Sequence, residues 1–400
     1  FFIVERVIKS MLWVVGGYKI YLAGSHTLYQ KIKAAYQDKG LRDFDYHFMS
    51  GVYEHDFEVE EATFDTLPAV KESSVPAGGH LEGNRIGFDA GGSDRKVSAV
   101  VDGKTIYSEE VVWFPKTNED PKYHYDGIYT AMKTAAEKMG NKIDAIGVSS
   151  AGVYIDNKIM VASLFVKVPK DLFEKHVKYM YIDIAKQLEK EVGHPIPLEV
   201  ANDGDVTALA GAMELKDTNV LGIAMGTSEA AGYVDSNGNL TGWLNELAFV
   251  PVDFNKDAMV DEWSLDYGCG VKYFSQDSVI KLAPAANIEL DPSLSPAEKL
   301  KVVQKLSEQD DPRAHQIYET IGVYLGYAIA YYSVFYSIKH ILLLGRVTSG
   351  KGGNIILKKA KEVLENEFPE YASIHLTMPD ETNRRVGQSI AAASLPKIDK

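Results

Sequence analysis

A strand–turn–strand unit that occurs twice is the feature that most constrains the fold of this chain. The first copy is "GFDAGGS", residues 87–93, and the second is "MGTSEAAG", residues 225–232. In each copy an apolar run enters a turn of glycine and hydroxyl-bearing residues, and another apolar run leaves it, as in a β-hairpin. Each hairpin is followed by predicted helices and further strands. We therefore expect two similar α/β lobes that face each other.

The predicted elements between and after the hairpins suggest where the domains divide. Three strands, a helix, a strand, a helix and a strand follow one another from residue 84, and an Asp102-Gly103 turn joins the second and third strands. The segment before residue 84 ends in a Pro-, Gly- and Ser-rich stretch typical of a linker. We predict an N-terminal extension of unknown role over 1–83, a small lobe over 84–200 to which a helix in 380–400 returns, and a large lobe over 201–379.

Composition restricts the partners of the chain. Its 400 residues carry a net charge of −14, which argues against nucleic acid as a partner. A nucleotide is not excluded, because Mg²⁺ and backbone N–H groups can hold its phosphates. The single cysteine, Cys269, excludes an internal disulfide and cysteine-rich metal sites and favours a reducing cytoplasm. Charged residues interrupt the apolar runs at the N-terminus, so we expect no membrane span, which needs about 20 apolar residues.

The two hairpin turns carry groups that suit phosphate. Glycines allow positive φ and expose backbone N–H groups, hydroxyls can donate to phosphate oxygens, and a carboxylate at a strand end can hold Mg²⁺ directly or through water. A plain hairpin turn is the alternative for either copy alone, but two equivalent turns favour a clamp on one polyphosphate. The candidate phosphate-binding residues are Asp89, Gly91, Gly92, Ser93, Gly226, Thr227 and Ser228.

A third glycine-rich loop lies in "LLLGRVTSGKGG", residues 342–353, between a buried strand and a helix. Ligands commonly bind at such junctions. The order of residues is not that of a P-loop, so contact with adenosine through Gly345 and Arg346 fits better. A surface connection without a ligand is the alternative.

The stretch "VANDGDVTALAG", residues 200–211, offers a carboxylate for chemistry. Asp203 or Asp205 can be the N-cap of the helix that follows, which is a common use of Asp. Asp203 can also be a general base, because phosphoryl transfer to an alcohol needs a carboxylate that orients the hydroxyl and accepts its proton. In this second interpretation Asn202 bonds a neighbouring hydroxyl.

Together these motifs resemble those of the ROK (repressor, open reading frame, kinase) sugar kinases of the actin/hexokinase superfamily, over residues 84 to about 396. The resemblance implies an α/β, two-lobed, ribonuclease H-like fold with mixed sheets flanked by helices. It implies Asp203 as catalytic base, ATP and Mg²⁺ as cofactors, Asp89 as the Mg²⁺ contact and Gly345–Gly353 as the adenosine loop.

The resemblance also implies a sugar site. "TGWLNELAF" is similar to the family's G-E-x-G-H sugar motif, which places Glu246 on a sugar hydroxyl, and "SSAGVYID" is similar to its small-domain sugar loop. The implied sugar-binding residues are Asn202, Glu246, Ser150, Gly152 and Gln276.

Three departures from the family pattern stand out. The motif's His falls on Phe249, and the family's zinc-binding cysteine run falls on "DYGCGVKYFSQ", where only Cys269-Gly270 remain. A structural zinc site cannot be built from one cysteine without a nearby His, so we expect no zinc. The first turn continues as "SDRK", which leaves open whether Arg95 or Lys96 faces phosphate.

The function expected from these residues is ATP-dependent phosphorylation of a sugar or sugar-derivative hydroxyl, with no membrane or nucleic-acid partner and with a homodimer left open. The first 83 residues do not resemble a winged helix-turn-helix, so the repressor branch is not expected. A non-catalytic sugar or nucleotide sensor on the same scaffold is the alternative, since two sugar contacts are altered. An ATPase that activates a partner enzyme is disfavoured by the single cysteine.

Overall fold

The computed structural model describes residues 1–70, 74–75, 78–379 and 381–398, without the side chains of 74–75 and 381–386. The helices are α1 (Phe2–Val15), α2 (His26–Ala35), α3 (Asp43–Tyr53), α4 (Pro121–Lys138), α5 (Lys170–Leu172), α6 (Met180–Val192), α7 (Asp203–Leu215), α8 (Gln276–Leu282), α9 (Pro296–Glu308), α10 (Pro312–Tyr332), α11 (Lys351–Glu367) and α12 (Glu381–Ala393). The strands are β1 (Lys19–Ala23), β2 (Glu58–Ala62), β3 (Ser74–Val75), β4 (Asn84–Ala90), β5 (Asp94–Val101), β6 (Lys104–Val112), β7 (Ala145–Ser150), β8 (Val153–Ile155), β9 (Lys158–Val161), β10 (Leu198–Asn202), β11 (Val220–Met225), β12 (Glu229–Val234), β13 (Leu240–Thr241), β14 (His340–Leu344) and β15 (His375–Thr377).

Two mixed sheets repeat one strand order. The five-stranded sheet has the order β10-β7-β4-β5-β6, and the six-stranded sheet has the order β15-β14-β11-β12-β13-β3. In the first, β4 pairs antiparallel with β5 and parallel with β7. In the second, β11 pairs parallel with β14. The repeated hairpin of the sequence is therefore the start of a repeated sheet, in which a parallel strand joins the hairpin on one side.

Burial in the five-stranded sheet follows the position of each strand. All six residues of β7 are buried, which fits a central strand with both faces covered. In contrast, β6 at the sheet edge alternates between exposed and partly buried residues along much of its length. The Asp102-Gly103 turn between β5 and β6 has φ of 45° and 77°, as a tight two-residue hairpin requires, and this predicted turn is confirmed.

The helical segment from residue 170 to residue 192 is divided in the structure. Residues 170–172 form α5, Phe173–Val177 forms a π-helical turn, and α6 begins only at Met180. The hydrophobic spacing of the segment predicts helix but cannot show a change of hydrogen-bonding pattern. Across the described residues, every helix is too short or too polar to span a lipid bilayer.

The chain forms two compact units. The first comprises residues 1–73, 219–231 and 242–379, and the second comprises residues 74–218, 232–241 and 380–400. In the second unit α12 packs directly on the strands, since a Cβ at Gly147 would lie 1.7 Å from the Ala392 carbonyl oxygen.

The predicted domain boundaries remain a prediction, and the units group several segments differently from it, of which residues 1–73 and 201–218 are the longest. Residues 1–73 are part of the first unit, because charged and aromatic side chains of α1 pack against residues near 249 and 266. Residues 201–218 stay in the second unit, because α7 begins directly at the end of β10 and contacts α12.

Candidate functional site

Three parallel strands of the second unit bring predicted site residues to one sheet edge. In the register of β4, β7 and β10, Asp89 lies beside Ser149, and Ser150 lies beside both Ala90 and Asn202. Because the carboxyl ends of parallel strands meet at the same edge, the side chains that end these strands are neighbours. Ser149 Oγ donates to Asp89 Oδ1 at 3.0 Å. This edge therefore gathers Asp89, Ser150 and Asn202, which are three of the predicted site residues, and their contacts with ligands stay predictions.

Asp203 is the first residue of α7 and follows β10 without a loop. Burial, and then repulsion from Asp89, raise the pKa of its carboxyl to about 6, while Lys116 acts in the opposite direction. A carboxyl that titrates near neutrality can accept a proton at physiological pH. Asp203 is thus suited electrostatically to general base catalysis.

The N-cap of α7 is Asn202 and neither of the two aspartates. Asn202 Oδ1 accepts from the Gly204 N–H at 2.8 Å, and its amide nitrogen donates to the Gly152 carbonyl at 2.7 Å. Asp205 is buried and accepts from the Tyr233 N–H at 3.2 Å. The interpretation of Asp203 or Asp205 as an N-cap is therefore wrong. Asn202 fixes the start of the helix that carries Asp203, and its contact with a sugar stays a prediction.

Ser150 and Gly152 have structural partners. The Ser150 hydroxyl is fully buried and accepts from Tyr154 Oη at 2.7 Å and Tyr181 Oη at 3.2 Å. The Gly152 carbonyl accepts the Asn202 amide described above. These bonds hold the loop after β7 beside the start of α7. Direct contact of either residue with a substrate stays a prediction.

The first turn needs glycine for space and not for positive φ. Gly91 and Gly92 are absent from the positive-φ glycines, which corrects that part of the sequence argument. A Cβ at Gly91 would lie 2.7 Å from the Asp94 carbonyl oxygen. The Gly91 carbonyl accepts from Trp113 Nε1 at 2.8 Å, and Ser93 is exposed with its hydroxyl 3.1 Å from Asp94 Oδ2. The turn is a bend with Gly92 and Ser93 exposed, and Trp113 holds it at Gly91.

Lys116 is a cation of this site that the sequence motifs missed. A Cβ at Gly92 would lie 3.0 Å from Lys116 Nζ, and the charge of Lys116 lowers the pKa of Asp203. Of the two cations left open above, Lys96 faces Asp89, whose pKa it lowers, whereas Arg95 lies over the ring of Trp113. Nothing in the local pattern around Lys116 signals this position, because the contact depends on how β6 is followed by the next turn.

The first unit carries the second turn and the third loop side by side. β11 and β14 are parallel, and Ala224 pairs with Leu344, so the turn at Gly226 and the loop at Gly345 begin at the same edge. The Gly226 N–H donates to the Ser228 carbonyl at 2.9 Å, and its carbonyl accepts from the Gln276 N–H at 2.9 Å. The Thr227 and Ser228 side chains are exposed. This turn can present two hydroxyls to a ligand.

Gly345 cannot be replaced without rearrangement. Its φ of 96° and ψ of 171° belong to a region open almost only to glycine. A Cβ there would lie 2.3 Å from the Met225 carbonyl oxygen. The Arg346 side chain is exposed, and its carbonyl accepts from Gln304 Nε2 at 2.6 Å. The loop therefore lies tightly on β11, next to the Gly226 turn.

Glu246 and Gln276 also belong to the first unit. Glu246 is partly exposed, and its N–H donates to the Trp13 carbonyl at 3.0 Å. Gln276 is buried at the start of α8, where its N–H contacts the Gly226 turn. Phe249, which stands where the family pattern has a His, packs on Trp13 with ring centroids 4.3 Å apart.

Glu229, directly after the second turn, is a buried acid that the sequence analysis missed. It is 3% exposed, and neither of its carboxylate oxygens has a hydrogen-bond partner among the described residues. Burial, and then the charge of Glu246, raise the pKa of Glu229 well above its usual range. The sequence signal for this buried acid is a charged residue at the start of an otherwise apolar strand.

The donor set at the edge of β4 suits Mg²⁺. Asp89 and Asp203 repel each other, and burial raises the pKa of Asp89, so a cation at this edge would relieve both effects. Mg²⁺ is usually bound by one or two carboxylates together with water and substrate phosphates. Among the described residues, the one group of three potential ligands is Asp38, Asp43 and His47, a largely exposed cluster of the first unit.

Comparisons with known proteins give the family and the fold. A family model described as "ROK family" matches residues 85–391. A ROK hexokinase from Thermus thermophilus is 18% identical, with a TM-score of 0.57, and the match covers 77% of this chain and 97% of that one. A ROK family glucokinase from Streptomyces griseus, in complex with glucose and AMPPNP, is 19% identical, with a TM-score of 0.54 and coverage of 78% and 98%.

A ROK family transcriptional regulator, a homolog of the E. coli MLC protein, is also similar in structure. It is 15% identical, with a TM-score of 0.57 and coverage of 79% of each chain. No curated protein sequence matches. The structural likenesses confirm the predicted fold class, a mixed α/β fold of the ROK hexokinase and glucokinase type. Since the family model spans more than half of the residues, the chain belongs to the ROK family.

Proposed function

We propose that the chain is a sugar kinase that transfers the terminal phosphoryl group of ATP to a hydroxyl of a sugar or sugar derivative. The observation that carries this proposal is the position of Asp203. Asp203 is the first residue of α7, at the edge of the sheet where β4, β7 and β10 end. The pKa of its carboxyl, about 6, suits proton acceptance near neutrality.

The residues of the second unit have the tasks nearest to the reaction. Asp203 accepts the proton of the attacking hydroxyl as the phosphoryl group moves to the sugar oxygen. The exposed backbone of Gly91, Gly92 and Ser93, with the Lys116 ammonium, binds phosphate oxygens. Asp89, held by Ser149, would hold Mg²⁺, which when bound neutralises charge on the phosphates.

The residues of the first unit have binding tasks. Gly226, Thr227 and Ser228 bind phosphate through N–H and hydroxyl groups, and Gly345 and Arg346 contact adenosine. Glu246 accepts from a sugar hydroxyl. Gln276 contacts the sugar beside the Gly226 turn, and Asn202 of the second unit contacts a neighbouring sugar hydroxyl while it caps α7. In this proposal the enzyme acts in the cytoplasm. Two further predictions are that it can form a homodimer and that it has no nucleic-acid partner.

The test is turnover on a sugar panel. Purified protein is incubated with Mg-ATP and with glucose, mannose, N-acetylglucosamine and N-acetylmannosamine, and both ADP and sugar phosphate are quantified. The proposal expects ADP and one sugar phosphate to appear in equal amounts, and Asp203→Asn to abolish both. ADP formation that does not depend on any sugar, with no sugar phosphate, would show an ATPase instead.

A non-catalytic sugar sensor is the second candidate. Two observations favour it: the similar fold of a ROK transcriptional regulator, and the use of Phe249 in aromatic packing where the family pattern has a His. Calorimetric titration with the same sugars discriminates between the candidates. Binding of a sugar without turnover in the presence of Mg-ATP would support the sensor and refute the kinase.

A further inference from the structure

The helix α1 buries charged side chains, although Glu, Arg and Lys are almost never fully buried unless they are paired. Glu5, Arg6 and Lys9 of α1 are each at most 2% exposed. Ionised groups are this deeply buried only when they are paired. Their partners in the first unit therefore show what α1 is built to contact.

Asp266 is the centre of a buried ion network with α1. Arg6 donates to both of its carboxylate oxygens at 2.9 and 2.7 Å, and Lys9 donates to one of them at 2.7 Å. Arg42 lies 2.7 Å from the same carboxylate and also pairs with Glu5. Burial alone would raise the pKa of Asp266, but the three cations hold it at about 2. This network fixes α1 to the segment around Asp266.

The other end of α1 meets the loop that carries Glu246. The last carbonyls of a helix have no partner within it. Here the Val14 carbonyl accepts from the Asn245 N–H, and the Trp13 carbonyl accepts from the Glu246 N–H, both at 3.0 Å. The backbone of Glu246 is thus bonded to the end of α1.

Aromatic packing secures the same junction. Trp13 is fully buried, with its ring centroid 4.3 Å from that of Phe249 and 4.8 Å from that of Phe48. Phe249 ends the short helical turn that begins directly after Glu246. The Phe249 ring therefore ties the Glu246 loop to α1 through side chains as well as backbone.

We infer that α1 is a positioning element for substrate binding: Trp13 and the Asp266 ion network hold Glu246 in the conformation that accepts a sugar hydroxyl. This inference rests on the proposed function only in the role given to Glu246. It assigns a task to a segment that lies before residue 85, where the family match begins. Trp13 acts through Glu246 and does not itself touch the sugar.

The structural half of the inference is tested without any activity. Hydrogen exchange is measured by mass spectrometry on the peptide covering residues 243–250 in the full chain, in Trp13→Leu, and in Trp263→Leu as a matched control, since Trp263 is 66% exposed in the same unit. Trp13→Leu should speed exchange of this peptide about tenfold and leave β11 and β14 unchanged. Unchanged exchange in residues 243–250 would overturn the inference.

The functional half is tested by a double-mutant cycle on sugar KM. Trp13→Leu should raise KM for the preferred sugar of the panel by about tenfold, with KM for ATP within about twofold of wild type, because a small displacement costs binding. Glu246→Gln should raise sugar KM as well. In the double variant the two effects should not add, because Trp13 acts only through Glu246.

Each outcome of the cycle has a separate meaning. Additive effects, or an equal loss of ATP and sugar affinity in Trp13→Leu, would refute a positioning role. An unchanged sugar KM in Glu246→Gln would refute the role proposed for Glu246. The hydrogen-exchange experiment would then decide only whether α1 holds the loop of residues 243–250 in place. If Trp13→Leu does not fold, Phe249→Leu removes the other ring of the same contact and takes its place.

Discussion

At the scale of single residues, Asp203 links the reaction to pH. Its folded-state pKa of about 6 lies above the ordinary value of 3.8, because burial and Asp89 disfavour the charge. A general base must be deprotonated, so kcat/KM should fall tenfold per pH unit below the pKa of Asp203, which Mg²⁺ on Asp89 would lower from about 6. Asp203→Asn should lower kcat by about 100- to 10,000-fold and leave the Kd of the sugar unchanged. A pH–rate profile with no acidic limb at or below pH 6 would contradict the assignment.

Lys116 should matter through its charge and position. Lys116→Met removes a cation beside Gly92, so kcat/KM for ATP should fall by about 10- to 100-fold. Lys116→Arg keeps the charge and should retain part of the activity. The control is Lys122→Met, because Lys122 is exposed and paired with Asp126. Equal kinetics in Lys116→Met and Lys122→Met would exclude a role for Lys116.

Glu229 should make stability depend on pH. Its pKa is raised in the folded state, so folded protein holds the proton more tightly than unfolded protein. Stability is therefore lost as pH rises above the ordinary glutamate pKa of 4.5. Glu229→Gln should raise Tm at pH 8 and make little difference at pH 4, as measured by thermal unfolding. A lower Tm at pH 8 would show that the charged carboxylate has a stabilising partner.

At the scale of elements, Gly345 joins a strand to the loop proposed for adenosine. Gly345→Ala adds a Cβ that would collide with the Met225 carbonyl, so both stability and ATP affinity should fall. Gly193→Ala is the control, because Gly193 also has positive φ but an added Cβ meets no atom within 4 Å. The control should cost about 1 kcal/mol. Chemical unfolding and the KM for ATP measure both effects, and equal losses would mean that backbone strain alone matters.

Elements were predictable from the sequence where their signal is local. The hairpin at Asp102-Gly103 and the strand at residues 145–150 follow from turn chemistry and apolar runs. The helix α1 has no clear local signal, because its buried Arg6 and Lys9 are satisfied by Asp266, about 260 residues away. Local patterns also did not show the π-helical turn at Phe173–Val177. Such features depend on partners that are distant in the chain.

In the candidate site, too, residues in local motifs were predictable from the sequence and residues placed by tertiary packing were not. Asp203, Asp89 and Gly226 stand in recognisable motifs, and the structure places each at the carboxyl edge of a parallel strand or in the turn beyond it. Lys116 and Glu229 belong to no motif, because their environment comes from tertiary packing. Asn202 was predicted as a sugar contact, and its side chain bonds Gly204 and Gly152. Its position was predictable, but its hydrogen-bond partners were not.

At the scale of the whole molecule, the family match covers fewer residues than the two folded units do. The family match begins at residue 85, but residues 1–73 belong to the first compact unit together with residues 242–379. Composition predicted a Pro- and Gly-rich boundary before residue 84, and part of that stretch lies outside the described residues. The sequence could not show that α1 packs into the first unit, because the residue spacing within α1 does not indicate that Asp266 and Phe249 are its partners.

The burial of Cys269 under α1 turns the only thiol of the chain into a reporter. Its sulfur is fully buried, 3.9 Å from Lys9 Nζ, and burial raises its pKa to about 11. A disulfide reagent such as DTNB should therefore label native protein slowly, at a rate set by how often α1 undocks. Labelling should be faster in Trp13→Leu than in Trp263→Leu. Immediate labelling of the wild type would mean that α1 is not docked in solution. Slow labelling would let one colorimetric assay measure the docking equilibrium of α1.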